Sequence, residues 1–513
     1  MPSWLVEFMP ILILLVVVTI VLARLPKVEG VDHSKEYRIR RVMNWLPLGL
    51  TYAFLYMGRY NIKVSQHAFG DLNLLGTEKL SECAPGAMSA CTPLMANADF
   101  ATIFLVGTWV YGCSFIINGP LTDKMGGKFS ILMGAGGSAL ANLLMGFATV
   151  KALDPVNGQY YRDNFTMIMS CLYGVNMYFQ SFGAVAIVKC NAPWFHVRER
   201  GVFGAIFGIL ISLGIYFAFD VGYMIISPDN FDLPLQFLFF IPTILLVVFW
   251  VIDFVIVKNT PGEAGLSDFD TADASSGDDG PQLGAVAVFK MMMKNPVIVT
   301  IACIEFCSGF LRQAIMQWYR TFAKQTDAIL GLQGDFVYDN WGLLLCCAGI
   351  MGGVFAGTLS DRVFQSRRGP VAAILYLFML GGGLVMTGLF YGGSYAAIGW
   401  LVIFMSMSII GVHGMLSGTA SMDFGGKKNV GVAVGIIDGF VYAGTGFMSL
   451  VYMYILPDDT ILPGETTSAA ANPENWIAWP LSMLPIAFIG LYLSRKIWNA
   501  KPKGKVAPKE ATA

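Results

Sequence analysis

GPLTDKMGGK, residues 119–128, is answered by GTLSDRVFQSRRG, residues 357–369, with Asp123 and Asp361 separated by 238 positions (361 − 123). Each segment joins two apolar runs long enough to cross a bilayer. Each has a glycine four residues before its aspartate and basic residues after it. The glycine allows close helix approach, and the carboxylate beside cations can latch a membrane rim. An ordinary basic loop would satisfy the positive-inside tendency unaided. Its recurrence at equivalent places in two halves points instead to an internal repeat. Asp123, Asp361 and Arg362 are therefore candidates for a cytoplasmic gate.

The rest of the chain fits that duplication. Of 513 residues, 55% are hydrophobic and 13% charged, and the mean hydropathy is +0.61. That is too little charge to cover a soluble domain of this size, so the class is an all-α, polytopic membrane protein. Spans are predicted at roughly 44–66, 99–120, 129–150, 165–188, 202–226 and 236–257, then at 296–320, 339–359, 371–391, 396–420, 431–455 and 476–497. An extra leading helix, Trp4 to Ala23, precedes them. The expected organisation is the extra helix and a basic cytoplasmic linker (1–42), a six-helix bundle (43–258), an acidic cytoplasmic linker (259–295), a second six-helix bundle (296–497) and a basic cytoplasmic tail (498–513). Lysine and arginine in the loops alternate onto one side, which puts the N-terminus outside. Cys83 and Cys91 share the polar segment after the first bundle helix, where a disulfide and two free thiols are both admissible. Neither HExxH nor a P-loop occurs, and no nucleophile–base constellation is visible, so no enzyme, metal or cofactor is expected. No basic aromatic stretch suggests nucleic acid.

Within the first bundle helix, TYAFLYMGRYN (residues 51–61) places Tyr52, Tyr56, Arg59 and Lys63 in one wedge of the surface, at i, i+4, i+7 and i+11. A guanidinium deep in hydrocarbon costs from roughly 2.5 to well above 10 kcal/mol unless it meets an anion or a wet cavity. Arg312, 253 positions on (312 − 59), occupies a comparable place in the second half. Two such arginines suggest an anion site. Glu305 lies two turns before Arg312, and Asp438 lies within the eleventh span, so both are possible coupling groups or charge partners. Asp438 is expected to meet one of the cavity cations. Lys189 ends the fourth span.

These motifs resemble the major facilitator superfamily, two six-helix bundles related by a pseudo-two-fold axis. Within it they are similar to the organophosphate:phosphate antiporters, the glycerol-3-phosphate and hexose-6-phosphate carriers. YAFLYMGRYN, NMYFQSFG, WFHVRERG (194–201), NTPGEAGL, FLRQAIMQW, GVHGMLSG and KKNVGVAVGIIDGFVYAGTG (427–446) carry the resemblance in order. It implies that Arg59 and Arg312 grip phosphate, with Tyr52, Tyr56, Tyr111 and Tyr442 lining the pocket. Trp318, His413 and Lys189, near which the family tends to carry a basic residue, are by that resemblance further candidates for binding the substrate, and Lys63 is another from its place on the face of Arg59. Three positions depart from the pattern: Ile211 stands for a fifth-helix histidine, Phe115 for a second-helix lysine and Cys346 for an eighth-helix glutamate.

The function implied is exchange of an organic phosphate ester, such as a sugar or glycerol phosphate, for inorganic phosphate by alternating access. The protein would be an inner-membrane, multi-pass monomer contacting lipid and small anions. A transporter-like sensor of sugar phosphate and a carrier of a non-phosphate organic anion are the alternatives.

Overall fold

The computed structural model describes residue 16 and residues 33–70, 72, 94–196, 200–228, 230–271, 284–364, 367–457 and 467–500. The leading helix (apart from Val16), the Cys83–Cys91 segment and the end of the tail lie outside them. The first half is built from α1 (Lys35–Gly70), α2 (Asn97–Met125), α3 (Gly127–Ala152), α4 (Phe165–Asn191), α5 (Arg200–Tyr216, running on to Ile226) and α6 (Phe237–Ile256). The second contains α7 (Pro296–Met316), α8 (Trp341–Thr358), α9 (Arg368–Tyr391), α10 (Ile398–His413), α11 (Ser421–Ile455) and α12 (Ala478–Lys496). Ten stretches are long and apolar enough to cross a membrane, and one of these, Ile398–Ile455, is 58 residues long and holds two limbs. It bends where Gly426 (φ 64°) and Asn429 leave helical geometry. Separating those limbs and adding the more polar α1 gives the twelve helices named.

Two boundaries differ from the sequence reading. α1 begins at Lys35, so the limit drawn at residue 43 falls inside a continuous helix. The basic segment is helical because its side chains reach backbone carbonyls at the ends of other helices. Tyr37 Oη donates to Trp194 O (2.9 Å), Arg40 to Ile256 O (2.8 Å) and Arg41 to Trp194 O (3.3 Å). Those carbonyls carry the partial negative charge of helix C-termini. The acidic linker likewise ends in a helix, Ala285–Met293, whose Val288 and Met292 pack against Ile298, Ala302, Val432 and Ile436.

The halves meet along two seams, α2 against α11 and α5 against α8. At the end bearing the basic loops the first seam is nearly backbone to backbone. A Cβ at Gly119 would lie 2.5 Å from the Gly431 carbonyl oxygen. Only glycine fits that crossing. Gly119→Val should therefore hold this end apart, since overpacking of this kind costs about 1–3 kcal/mol, or roughly ten- to a hundredfold in closure. The expected result is normal expression with transport reduced more than about tenfold, measured in proteoliposomes. Unchanged transport would show that the seam tolerates separation.

Candidate functional site

At the centre of the molecule Arg59 is 1% exposed. Its Nε donates to Gln180 Oε1 (3.1 Å), Nη1 to Tyr442 Oη (2.7 Å) and Nη2 to Tyr111 Oη (2.5 Å). Its guanidinium also lies over the rings of Tyr56 (4.5 Å) and Tyr111 (4.4 Å). The helix beneath it is pinned: Tyr173 Oη donates to Arg59 O, Asn176 Nδ2 to Gly58 O and Gln180 Nε2 to Leu55 O. This α4 layer explains why an arginine can hold one rotamer in an apolar bundle. From the opposite half Arg312 Nη2 reaches the same Tyr442 oxygen at 3.3 Å. One phenol thus receives hydrogen bonds from both cations. Among the described residues, Nε and Nη1 of Arg312 and the hydroxyl of Tyr56 are buried without a hydrogen-bond partner. Buried donors of this kind are costly unless an acceptor meets them, and guanidinium donors suit the oxygens of an anion best.

Tyr52 extends the wall, edge-on to Tyr56 and stacked on Phe207. Phe115 stacks on Tyr442 and packs edge-on against Tyr111. The other predicted residues separate into distinct places. Lys63 lies farther along α1, its ammonium donating to Gln66 Oε1 (2.7 Å) and Thr321 Oγ1 (3.1 Å) and facing the rings of Phe100 and Trp318. Trp318 belongs to that outer aromatic wall, with Tyr452 and Trp476. Glu305 and His413 pair with each other at 2.9 Å. Asp438 accepts a hydrogen bond from the Ser417 hydroxyl (2.5 Å) rather than from one of the cationic side chains of the site, because Ser417 in the adjoining segment Gly414–Ala420 occupies that oxygen. Sequence reasoning missed Gln180, Gln313 and Gln317, whose only signal was a helical face shared with an arginine or tyrosine.

Residues 48–449 match the family model described as Major Facilitator Superfamily. The chain belongs to the major facilitator superfamily. It is 22% identical over 446 residues to a glycerol-3-phosphate transporter of Bacillus subtilis (strain 168), covering 84% of this chain and 90% of that one. A probable hexose phosphate transport protein of Chlamydia pneumoniae is 21% identical over 441 residues, covering 81% and 87%. The membrane sensor protein UhpC of Salmonella typhimurium is 22% identical over 366 residues, covering 67% and 73%. As a member of this superfamily the chain is a multi-pass membrane transporter and not an enzyme.

In this major facilitator protein the halves are bridged at both ends of the bundle. At the end with the basic loops, Asp123 on α2 accepts the Gly431 and Val432 N–H groups (3.0 and 2.9 Å), the first free amides after the α11 bend. Lys189 donates to the same carboxylate at 2.6 Å and to the carbonyls of Lys427 and Lys428. The structure therefore places Lys189 in this latch and not beside the arginine pair. A second bridge joins Arg200 of α5 to Asp423 (3.7 Å), which Arg368 also holds (3.2 Å). Asp361 lies in the turn Leu359–Val363 with its side chain outside the described residues, and Arg362 is exposed. At the other end, Asp220 of α5 accepts the N–H groups of Gly342 and Leu343 (2.7 and 2.6 Å), in the first turn of α8. Arg320 lies there between the rings of Tyr223 and Tyr338, at 4.0 and 4.2 Å.

Proposed function

We propose that this protein exchanges an organic phosphate ester for inorganic phosphate by alternating access. The observation that carries the reading is the convergence of Arg59 and Arg312, one from each half, on the single oxygen of Tyr442. Phosphate presents several acceptor oxygens and between one and two charges near neutral pH, so it can meet the unpartnered donors of Arg312 while bonding Arg59. Because the two cations belong to different bundles, an anion between them draws the bundles together, and rocking of one half against the other then exposes it to either side. The named relatives transport glycerol phosphate or hexose phosphate, which supports a phosphate ester as cargo.

The test is labelled phosphate loaded into proteoliposomes, with phosphate, glycerol 3-phosphate, glucose 6-phosphate and a non-phosphate dicarboxylate offered outside. Release driven by external phosphate and by at least one ester is expected. Release driven only by the dicarboxylate would assign another anion. Binding of an ester without any release would favour a sensor, which the similarity to UhpC makes a specific second reading.

A further inference from the structure

Lys63 presents an electrostatic problem that the phosphate clamp does not resolve. Its side chain is 3% exposed, so it does not reach water in the manner of a lysine at a helix end. Its hydrogen-bond partners, Gln66 Oε1 and Thr321 Oγ1, are both neutral. Among the described residues it forms no ion pair, and the charged groups that act on it are the cations Arg320 and Lys324. A buried ammonium with only neutral partners is strongly disfavoured unless an anion completes it. Gln317, whose carbonyl accepts from Thr321 Oγ1, carries in Oε1 a buried acceptor without a hydrogen-bond partner among the described residues.

The position of this cation is specific. Lys63 is four residues beyond Arg59 on α1, a rise of about 6 Å. Gln313 faces the interval from α7, donating to Tyr60 Oη (2.9 Å), and Gln317, just past the end of α7, donates to Gln313 Oε1 (3.1 Å). Along α1 and the residues facing it the order is therefore a two-arginine clamp, then amide and phenol groups, then a single ammonium.

We infer that Lys63 is the specificity residue for the organic part of the substrate, and that the substrate is a short phosphomonoester bearing a second anionic group, a carboxylate. This rests on the phosphate-clamp reading and narrows it. One ammonium matches one singly charged carboxylate. With carbon–carbon bonds of about 1.5 Å, a three-carbon acid phosphate holds its two charges about 5 Å apart, comparable with the backbone rise between Arg59 and Lys63. Its hydroxyl would fall beside Gln313 and Gln317. A neutral polyol phosphate of the same length would leave Lys63 uncompensated. Since Lys63 bonds Thr321 across the halves, the carboxylate also completes a contact that closes the outer end.

The test compares two three-carbon probes that differ at the far end, 3-phosphoglycerate (carboxylate) and glycerol 3-phosphate (hydroxymethyl), as inhibitors of labelled phosphate self-exchange. The wild-type protein should favour 3-phosphoglycerate by about tenfold or more, as expected for one charge-assisted contact. Lys63→Met should bring the ratio of inhibition constants close to one, and Lys63→Arg should restore most of it. The ratio is independent of any change in overall rate. Equal inhibition of the wild type by both probes, or a preference unchanged in Lys63→Met, overturns the inference. If labelled phosphate does not exchange at all, the exchanger reading fails. Thermal stabilisation of the purified protein by the two probes then decides the role of Lys63 on the same criteria.

Discussion

Lysine in place of either Arg59 or Arg312 is expected to lower phosphate exchange by about a hundredfold or more while the protein stays folded and inserted. The charge is kept in both variants, so long-range attraction of the anion survives. What is lost is the planar fork. Arg59 uses three different nitrogens on Gln180, Tyr442 and Tyr111, so its plane is fixed by α4, α11 and α2 together. An ammonium has no equivalent set of directions, and from the same Cα it cannot bond all three acceptors and a phosphate oxygen. Losing a buried charge-assisted bond is worth roughly 3 kcal/mol, which corresponds to the stated factor. Exchange at wild-type rate in either variant would remove the clamp from the mechanism.

The same geometry predicts the kind of transport. Drawing two guanidiniums together around one phenol desolvates like charges, at several kcal/mol per ion without a compensating anion. A phosphate between them offsets most of that, so it binds the closed arrangement better than the open one and speeds the transition. Phosphate outside should accordingly accelerate release of labelled phosphate inside, and release into phosphate-free buffer should be slow.

The two arginines stood out in the sequence because an arginine far inside an apolar run has few inexpensive explanations, and Tyr52 and Tyr56 followed from Arg59 by helical spacing, whereas Tyr111 and Tyr442 entered only through the family resemblance. The duplicated loop was legible because its spacing repeats. The residues that hold those groups were not. Gln180, Gln313 and Asp220 are single polar side chains in long helices, where membrane proteins place such residues for many reasons. Only the cross-helix partner shows which reason applies. The family resemblance points Lys189 toward the substrate, yet its carboxylate partner is Asp123 on α2. Glu305 and His413, 108 positions apart, gave no local signal that they pair. The start of α1 was obscured by its charge: a run of four cations resembles a loop until the carbonyls that receive them are located.

Asp220→Asn is expected to open the end of the cavity opposite the basic loops, and Asp123→Asn the end beside them. The two aspartates do the same work on different seams. Asp123 leaves α2 to cap the amides after the α11 bend, and Asp220 leaves α5 to cap the first turn of α8. In a bundle built from inverted three-helix repeats, α2 and α5 are equivalent helices pointing in opposite directions, so one latch appears at each end. Each carboxylate satisfies two amides that no intrahelical carbonyl can reach, and its charge opposes the positive end of the helix dipole. An asparagine keeps one acceptor oxygen but loses the charge and the second acceptor. Together these are worth about 1.5–3 kcal/mol, or roughly ten- to a hundredfold in the open population. A Gln317→Cys reporter, buried below the Asp220 seam, measures this through labelling by an impermeant maleimide applied from that side. Labelling should be at least about tenfold faster with Asp220→Asn and slower than in the parent with Asp123→Asn. Substrate exchange should fall in both, because a carrier held open at either end no longer cycles. Equal labelling in all three backgrounds would mean that the seams are closed by packing alone, with the carboxylates only finishing the helix ends.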